Sequence, residues 1–406
     1  MNVTPKSMFQ PLNTSEIAGD LTQGTLVNQY LQQLQENPSD SEDDRLKLAL
    51  YVLSEGDFQQ RWEVSKIFPT LGKIAIAPLL NILEDEETEE EIRWFVGGIF
   101  GEFDEKEVVS ALVNLLKNSQ KTELLMVAAA ALGKIGTPAI EALSELLSEN
   151  SARLLAVRVL AEIRNTQIIT PLLKVVDDPA PEIRTTVLEA LSSFHNVCLI
   201  PIFLKALHDP ITTVRKEAVI ALGMQKEFQE QFNLVSQLKP LLYDLHLDVC
   251  QQAALALGRL GGNKAAEALF HVLKSPATPL WLKQEVVGAL SWICTPQSLE
   301  YLQEGLRWGD ETVCQAIVNV LGCQPLADLK AQATEILLNF LSSRQQALHQ
   351  PQIKQAVAMS LGKLGHPIAL DTLEKLAQDS DKAVRLHAIA ALKKFSPLVA
   401  TVRPRI

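Results

Sequence analysis

Residues Val214–Gly223 read VRKEAVIALG, and the same string returns with substitutions along most of the chain. It recurs as IRWFVGGIFGEF (Ile92–Phe103), LLMVAAAALGKIG (Leu124–Gly136) and VCQQAALALGRLG (Val249–Gly261). VCQAIVNVLG (Val313–Gly322), IKQAVAMSLGKLG (Ile353–Gly365) and VRLHAIAALKKF (Val384–Phe395) follow. Val214, Ala218 and Leu222 recur at i, i+4 and i+8, which is one face of a helix. Alanines on that face let neighbouring helices approach closely, and a glycine after the leucine suits a helix C-terminus that turns left-handed.

The glycine position serves as a ruler. It falls at Gly72, Gly101, Gly133, Ala161, Ser192, Gly223, Gly258, Ser291, Gly322, Gly362 and Lys393. The mean spacing of about 32 residues fits a two-helix repeat. Linkers such as Asp177-Asp178-Pro179 and Asp209-Pro210 put an acid and a proline where one helix stops and the next starts. A lone hairpin of this kind cannot bury its apolar face, whereas stacked hairpins can. The predicted fold is therefore all-α, an α-solenoid of about ten to eleven short hairpins forming a curved superhelix. Residues 1–20 read as a disordered N-terminal segment, 21–56 as two capping helices (Thr25–Leu34 and Asp43–Leu53), 57–398 as the solenoid and 399–406 as a tail.

Bulk composition narrows the function classes. The chain has 406 residues, 47% of them hydrophobic and 5% aromatic, with a net charge of -11. That balance disfavours nucleic acid and anionic membrane surfaces, which select for clustered Lys and Arg. The N-terminus MNVTPKSMFQPLNTSEIAGD lacks an apolar core and does not read as a signal peptide. The apolar stretch Leu124–Leu132 is too short for a bilayer, so no membrane insertion is expected. Five cysteines (Cys198, Cys250, Cys294, Cys314 and Cys323) without a CxxC pair argue against a disulfide framework or a structural zinc site. A cytoplasmic protein is the expectation.

Two registers on the template helix stand out. The template arginine appears as Arg93, Arg153, Arg184, Arg215 and Arg385, with Asp178, Asp209 and Asp379 six residues before three of them. These pairs read either as a ladder that ties repeats together and caps helices or as an anion-binding ladder. The next residue is Gln251, Gln284, Gln315 and Gln355 in four successive repeats, and Trp94, Met126 and Leu154 in the N-terminal half. If that register lines the inner surface, Arg93, Trp94, Met126, Leu154, Gln251, Gln284, Gln315 and Gln355 are the candidate partner-binding residues. The surface would be apolar near its start and amide-rich near its end. A solvated row of good helix formers is the plainer alternative.

Other features carry less. Cys250 and Cys314 occupy the template arginine position in alternate repeats, roughly 20 Å apart at about 10 Å per helix layer, too far to share a metal. Cys294 and Cys323 could meet, but buried free cysteines acting as small hydrophobes explain all of them more simply. Trp281 and Trp292, eleven residues apart on nearly the same face of one predicted helix, fit core or inter-repeat packing. The pair Gly97-Gly98 beside Trp94 calls for a close contact, with a neighbouring helix or with a partner. The acidic run from Glu84 to Glu91 reads as an inter-repeat loop, or as a docking site for a basic partner. No nucleophile triad, phosphate loop or HExxH helix is present, and none of the seven histidines precedes a glutamate as a deoxyhypusine hydroxylase would require. A DNA glycosylase groove would need a basic surface.

From about Arg61 to Phe395 the V-R-x-x-A-x-x-A-L-G core and short period resemble the HEAT-like repeat of the phycobilisome-lyase type. The chain also looks like the cyanobacterial HEAT-repeat partner of an A-type iron-sulfur carrier. The resemblance implies two functions of different class. One is a non-catalytic adaptor for a protein partner, such as an iron-sulfur assembly protein, with no cofactor of its own. The other is a bilin lyase or chaperone acting on phycobiliproteins, for which Trp94 with Arg93 would be the chromophore contact.

Overall fold

Apolar residues spaced at three and four along nearly every segment leave the chain one way to bury them, which is helix against helix. The computed structural model describes residues 23–36, 41–343 and 346–402, and among these no strand occurs. The expected disordered segment 1–20 and residues 403–406 lie outside the described residues. The chain forms two compact units, residues 1–190 and 191–406. Both units are α-solenoids.

In unit 1, α1 (Gln23–Glu36) packs on α2 (Glu42–Glu55). The Asp57 side chain caps α3 (Phe58–Ser65) through a reciprocal box with Gln60. Next come α4 (Phe68–Leu71), α5 (Ile76–Glu84), α6 (Glu90–Phe100), α7 (Lys106–Asn118) and α8 (Thr122–Ile135). Then follow α9 (Ile140–Leu146), α10 (Arg153–Glu162), α11 (Ile169–Leu173) and α12 (Pro181–Ser192). Helices α5, α7 and α9 stack in one layer, while α6, α8 and α10 stack in the other. Residues 58–84 are apolar enough by composition to cross a membrane. They are, however, broken into short helices at Pro69 and at Gly72 (φ 63), and their Val64, Phe68, Leu71, Leu79 and Leu83 are buried.

Unit 2 repeats the plan with α13 (Ile200–Ala206), α14 (Thr212–Gly223), α15 (Gln229–Phe232), α16 (Leu234–Leu238), α17 (Leu247–Leu260) and α18 (Asn263–Lys274). It continues with α19 (Leu280–Ile293), α20 (Pro296–Trp308), α21 (Glu311–Leu321), α22 (Ala327–Ser342), α23 (Pro351–Leu364), α24 (Leu370–Leu376) and α25 (Lys382–Val402). The template helices α14, α17, α19, α21, α23 and α25 pack one on the next. Helix α25 runs past the expected solenoid end at 398. In this repeat Ser396 stands where Gly136, Gly261 and Gly365 turn left-handed elsewhere, so no glycine stops the helix there.

The ruler glycine has a different job from the one its position suggests. Gly101 and Gly322 have right-handed φ values of -63° and -67°, and Gly223 lies inside α14. A methyl group at Gly223 would sit 2.7 Å from Ala256 Cβ and 2.9 Å from its Cα. At Gly362 it would meet Ala391 Cβ at 2.6 Å, and at Gly258 the carbonyl oxygen of Ala289 at 2.9 Å. Each of these glycines lets its helix touch the alanine of the following template helix. The left-handed turns come three residues later, at Gly136 (φ 75), Gly261 (φ 77) and Gly365 (φ 65).

Candidate functional site

The template cation points into its own repeat. Arg93 Nε donates to Leu83 O at 2.9 Å and Arg153 Nε to Leu147 O. Arg184, Arg215 and Arg385 each donate from one terminal nitrogen to the carbonyls of Asp178, Asp209 and Asp379, 2.8 to 2.9 Å away. In the same position Cys250 Sγ lies 3.3 Å from Asp244 O, and Cys314 Sγ lies 3.4 Å from Gly309 O. The thiol takes over the guanidinium's contact with the loop in reduced form. Burial pushes the Cys314 thiol up to about 11, and raises Cys250 as well, so both stay protonated donors.

The acid six residues upstream gives its carbonyl to the following cation and its carboxylate to the preceding repeat, as a ladder between repeats requires. Asp178 binds Arg153 (2.7 Å) and Asp379 binds Lys354 (3.0 Å), the cation of the preceding repeat. Asp244 likewise accepts two 2.8 Å bonds from Arg215, which hold its carboxyl below the usual range. At these three places the ladder ties one repeat to the next. These template cations are engaged in holding loops, which argues against the anion-binding alternative.

The residue after the cation is exposed or half-buried in every template helix from α6 to α25. In unit 1 the row reads Trp94, Met126, Leu154 and Thr185; in unit 2 it reads Lys216, Gln251, Gln284, Gln315, Gln355 and Leu386. Met126 is 67% exposed. Gln284 and Gln315 are exposed, whereas Gln251 and Gln355 are half-buried, with Gln355 Nε2 3.5 Å from Asp381 Oδ1. Arg93 does not join this row, being tied to Leu83. The Arg93–Trp94 couple expected for a chromophore is thus divided: the cation holds a loop, and the indole packs among rings.

Those rings add residues that repeat spacing could not find. Phe58 stacks on Trp94 with centroids 6.5 Å apart and lies 5.2 Å from Phe95. Phe58 and Trp62 remain 57% and 46% exposed, one helical turn apart on α3. Their i, i+4 spacing was legible, but α3 precedes the first clear template and has no register to read them in. Of the Gly97-Gly98 pair, Gly97 faces α8, where a Cβ would meet Val127 Cγ1 at 2.8 Å. Gly98 is exposed and nearly open. Trp281 and Trp292, expected in the packing, are 38% and 50% exposed on α19, with Gly288 between them facing open space.

Charge divides with the units. Residues 1–190 hold 16 Lys and Arg against 30 Asp and Glu, a net of -14; residues 191–406 hold 21 against 18, a net of +3. All five cysteines fall in unit 2, and no group of three metal-ligating side chains converges among the described residues.

The HEAT repeats family matches residues 76–155, 148–223, 200–282, 235–322 and 326–402. A comparison with the curated proteins finds no match. Among solved structures the chain is similar to Kap121p bound to Ste12p, with a TM-score of 0.58 and 16% identity over 93% of this chain and 50% of that one. It is similar to yeast importin-beta (Kap95p), with a TM-score of 0.50 and 13% identity over 91% of this chain and 57% of that one. The complex of CpcE and CpcF of phycocyanin lyase from Nostoc sp. aligns at a TM-score of 0.31 and 21% identity, over 58% of this chain and 92% of that one. At these identities a likeness speaks for the helical stack alone.

Proposed function

The chain belongs to the HEAT repeats family, and from that premise we propose that it is a non-catalytic, cytoplasmic scaffold that binds a protein partner along the row following the template cation. One observation carries the reading. Successive template helices bury their alanine and leucine positions, and each leaves the register after the cation exposed or half-buried, with a different chemistry in each unit. Within each unit, such a row on packed helices is a surface for a chain or a helix rather than a pocket for a small substrate.

The style of the repeats supports two partners, an A-type iron-sulfur carrier and, on the second reading, a phycobiliprotein or its bilin. Affinity capture from a cyanobacterial lysate with the full chain tests the scaffold. Wild type should retain a defined partner, and the combined Gln284→Ala, Gln315→Ala and Gln355→Ala variant should retain less. Equal retention by that variant and by Trp94→Gln with Met126→Gln would refute the row. Mixing the purified chain with phycocyanobilin tests the second reading: a shift in visible absorbance supports it, and an unchanged spectrum ends it.

A further inference from the structure

We propose that the exposed aromatic face of unit 1, built by Phe58, Trp62, Trp94 and Met126, docks a segment of a partner protein that carries lysine or arginine beside apolar side chains. This rests on the scaffold reading and gives the partner's chemistry at one end of the row. Four large apolar side chains are partly or largely exposed on α3, α6 and α8, where α3 packs on α6, α6 on α8, and Phe58 stacks on Trp94; exposed apolar surface of this kind marks interaction sites. Aromatic and methionine side chains are the types enriched at the cores of protein interfaces. Beside them Gly98 and Ala130, one turn beyond Trp94 and Met126, are exposed and small, which leaves room for a partner backbone close to α6 and α8.

Charge selects the occupant. Between residues 55 and 91 ten carboxylates stand against three cations. One of those cations, Arg61, is 9% exposed and already bound to Glu89 and Glu91, at 3.4 and 3.3 Å. It lies between Phe58 and Trp62 in α3, so it anchors the acidic end of α6 against the aromatic face. Glu86 and Glu87 lie exposed in the connection just before. The second cation, Lys66, sits 5.7 Å over the Trp62 ring and 3.1 Å from Glu63. The surface thus already holds one ammonium between an indole and a carboxylate, the arrangement that a basic partner would extend across Phe58 and Trp94. An acidic or phosphorylated segment would meet like charge here, which disfavours it.

Fluorescence anisotropy on the full chain tests this with three labelled amphipathic peptides of one length. The first has leucines flanked by lysines, the second the same leucines flanked by glutamates, and the third serines in place of leucine with the lysines kept. Only the first should bind well, weakening by about tenfold between about 0.1 and 0.5 M salt. Phe58→Ala with Trp62→Ala should weaken it by at least about tenfold, as for a truncated aromatic anchor. Glu86→Lys with Glu87→Lys should weaken it several-fold and flatten its salt dependence. Both pairs are exposed, and unchanged thermal unfolding verifies that each variant folds. Preference for the glutamate peptide, equal binding of the serine peptide, or indifference to both variants would overturn the proposal. Those results leave the scaffold reading standing, because the Gln284→Ala, Gln315→Ala and Gln355→Ala variant tests it in unit 2, away from this face.

Discussion

Unit 1 places Trp94, Met126 and Leu154 in its row and carries a net charge of -14, while unit 2 places Gln251, Gln284, Gln315 and Gln355 there and carries +3. Beneath that difference the packing device is shared. Gly97 abuts Val127 in unit 1, as Gly223 abuts Ala256 in unit 2. Arg153 reaches Asp178 in the first unit, as Arg215 reaches Asp244 in the second. Positions that set the distance between helices answer to close packing, where one methyl group is felt. Exposed positions answer only to what they meet outside. The two units therefore diverge in surface and agree in core.

The shared ladder should show the largest effect when broken. Asp244→Ala leaves Arg215 without its two carboxylate bonds in a half-buried place and should cost unit 2 about 2–3 kcal/mol, the range for a lost charged hydrogen-bond partner. Urea unfolding at pH 7 measures it. The pH dependence has a definite sign. Asp244 titrates below its ordinary 3.8 in the folded chain, so its contribution is complete above that value and is lost as pH falls through the lowered folded value. The gap between wild type and variant should close on acidification below pH 3.8. A gap that persists undiminished in acid would assign the cost to packing, and the ladder would not be electrostatic.

Glycine gives the next effect, and it should change sign within one unit. Gly223→Ala forces a methyl group against the Cα and Cβ of Ala256, at 2.9 and 2.7 Å, and should destabilise by about 1–2 kcal/mol after its gain in helix propensity. Gly288→Ala meets nothing within 4 Å in the interior of α19 and should stabilise by about 0.5–1 kcal/mol. Thermal melts of both decide the point, and the same sign for both would refute the assignment of Gly223 to close approach.

These contrasts also define what could be read from residues alone. The α-solenoid, the repeat period and the accessible register after the cation were legible, because helical periodicity separates buried from presented positions. The reason for the ruler glycine was not, since a left-handed turn and a tight helix contact select the same residue and leave the same trace in sequence. The ladder between repeats was expected, but which acid pairs with which cation was not legible for a related cause. An acid six residues upstream is visible in a string, but the carboxylate that Arg153 binds lies 25 residues on and becomes a neighbour only after stacking. Phe58 escaped because α3 lies ahead of the template, and the division at residue 190 has no local signature.

Whether the units are independent can be tested through chemistry confined to one of them. Cys198 and Cys323 are exposed, and Cys250 and Cys314 are buried, all in unit 2. A disulfide reagent near pH 8 should label Cys198 and Cys323 at once and Cys250 and Cys314 only as unit 2 opens, since burial raises both thiols. Asp244→Ala should speed that slow phase, and tryptophan emission in a variant retaining only Trp62 and Trp94 should not follow it. If emission tracks labelling in step, the two units unfold as one.

The smallest effect on stability should accompany the largest difference between the units in function. Gln284 and Gln315 are exposed, and Gln355 holds only a 3.5 Å contact to Asp381, so replacing all three by alanine should move the urea midpoint by no more than about 0.5 kcal/mol equivalent. Trp94→Gln with Met126→Gln converts the apolar end of the row into a copy of the amide end. It costs somewhat more, because the indole leaves Phe58 and Phe95. If the row is one continuous binding surface, each variant should lower retention of the same captured partner. If the units serve different partners, each variant should lose one and keep the other. Charge separates these outcomes further, because a partner held by unit 1 should elute with modest salt, whereas one gripped by amide hydrogen bonds in unit 2 should not.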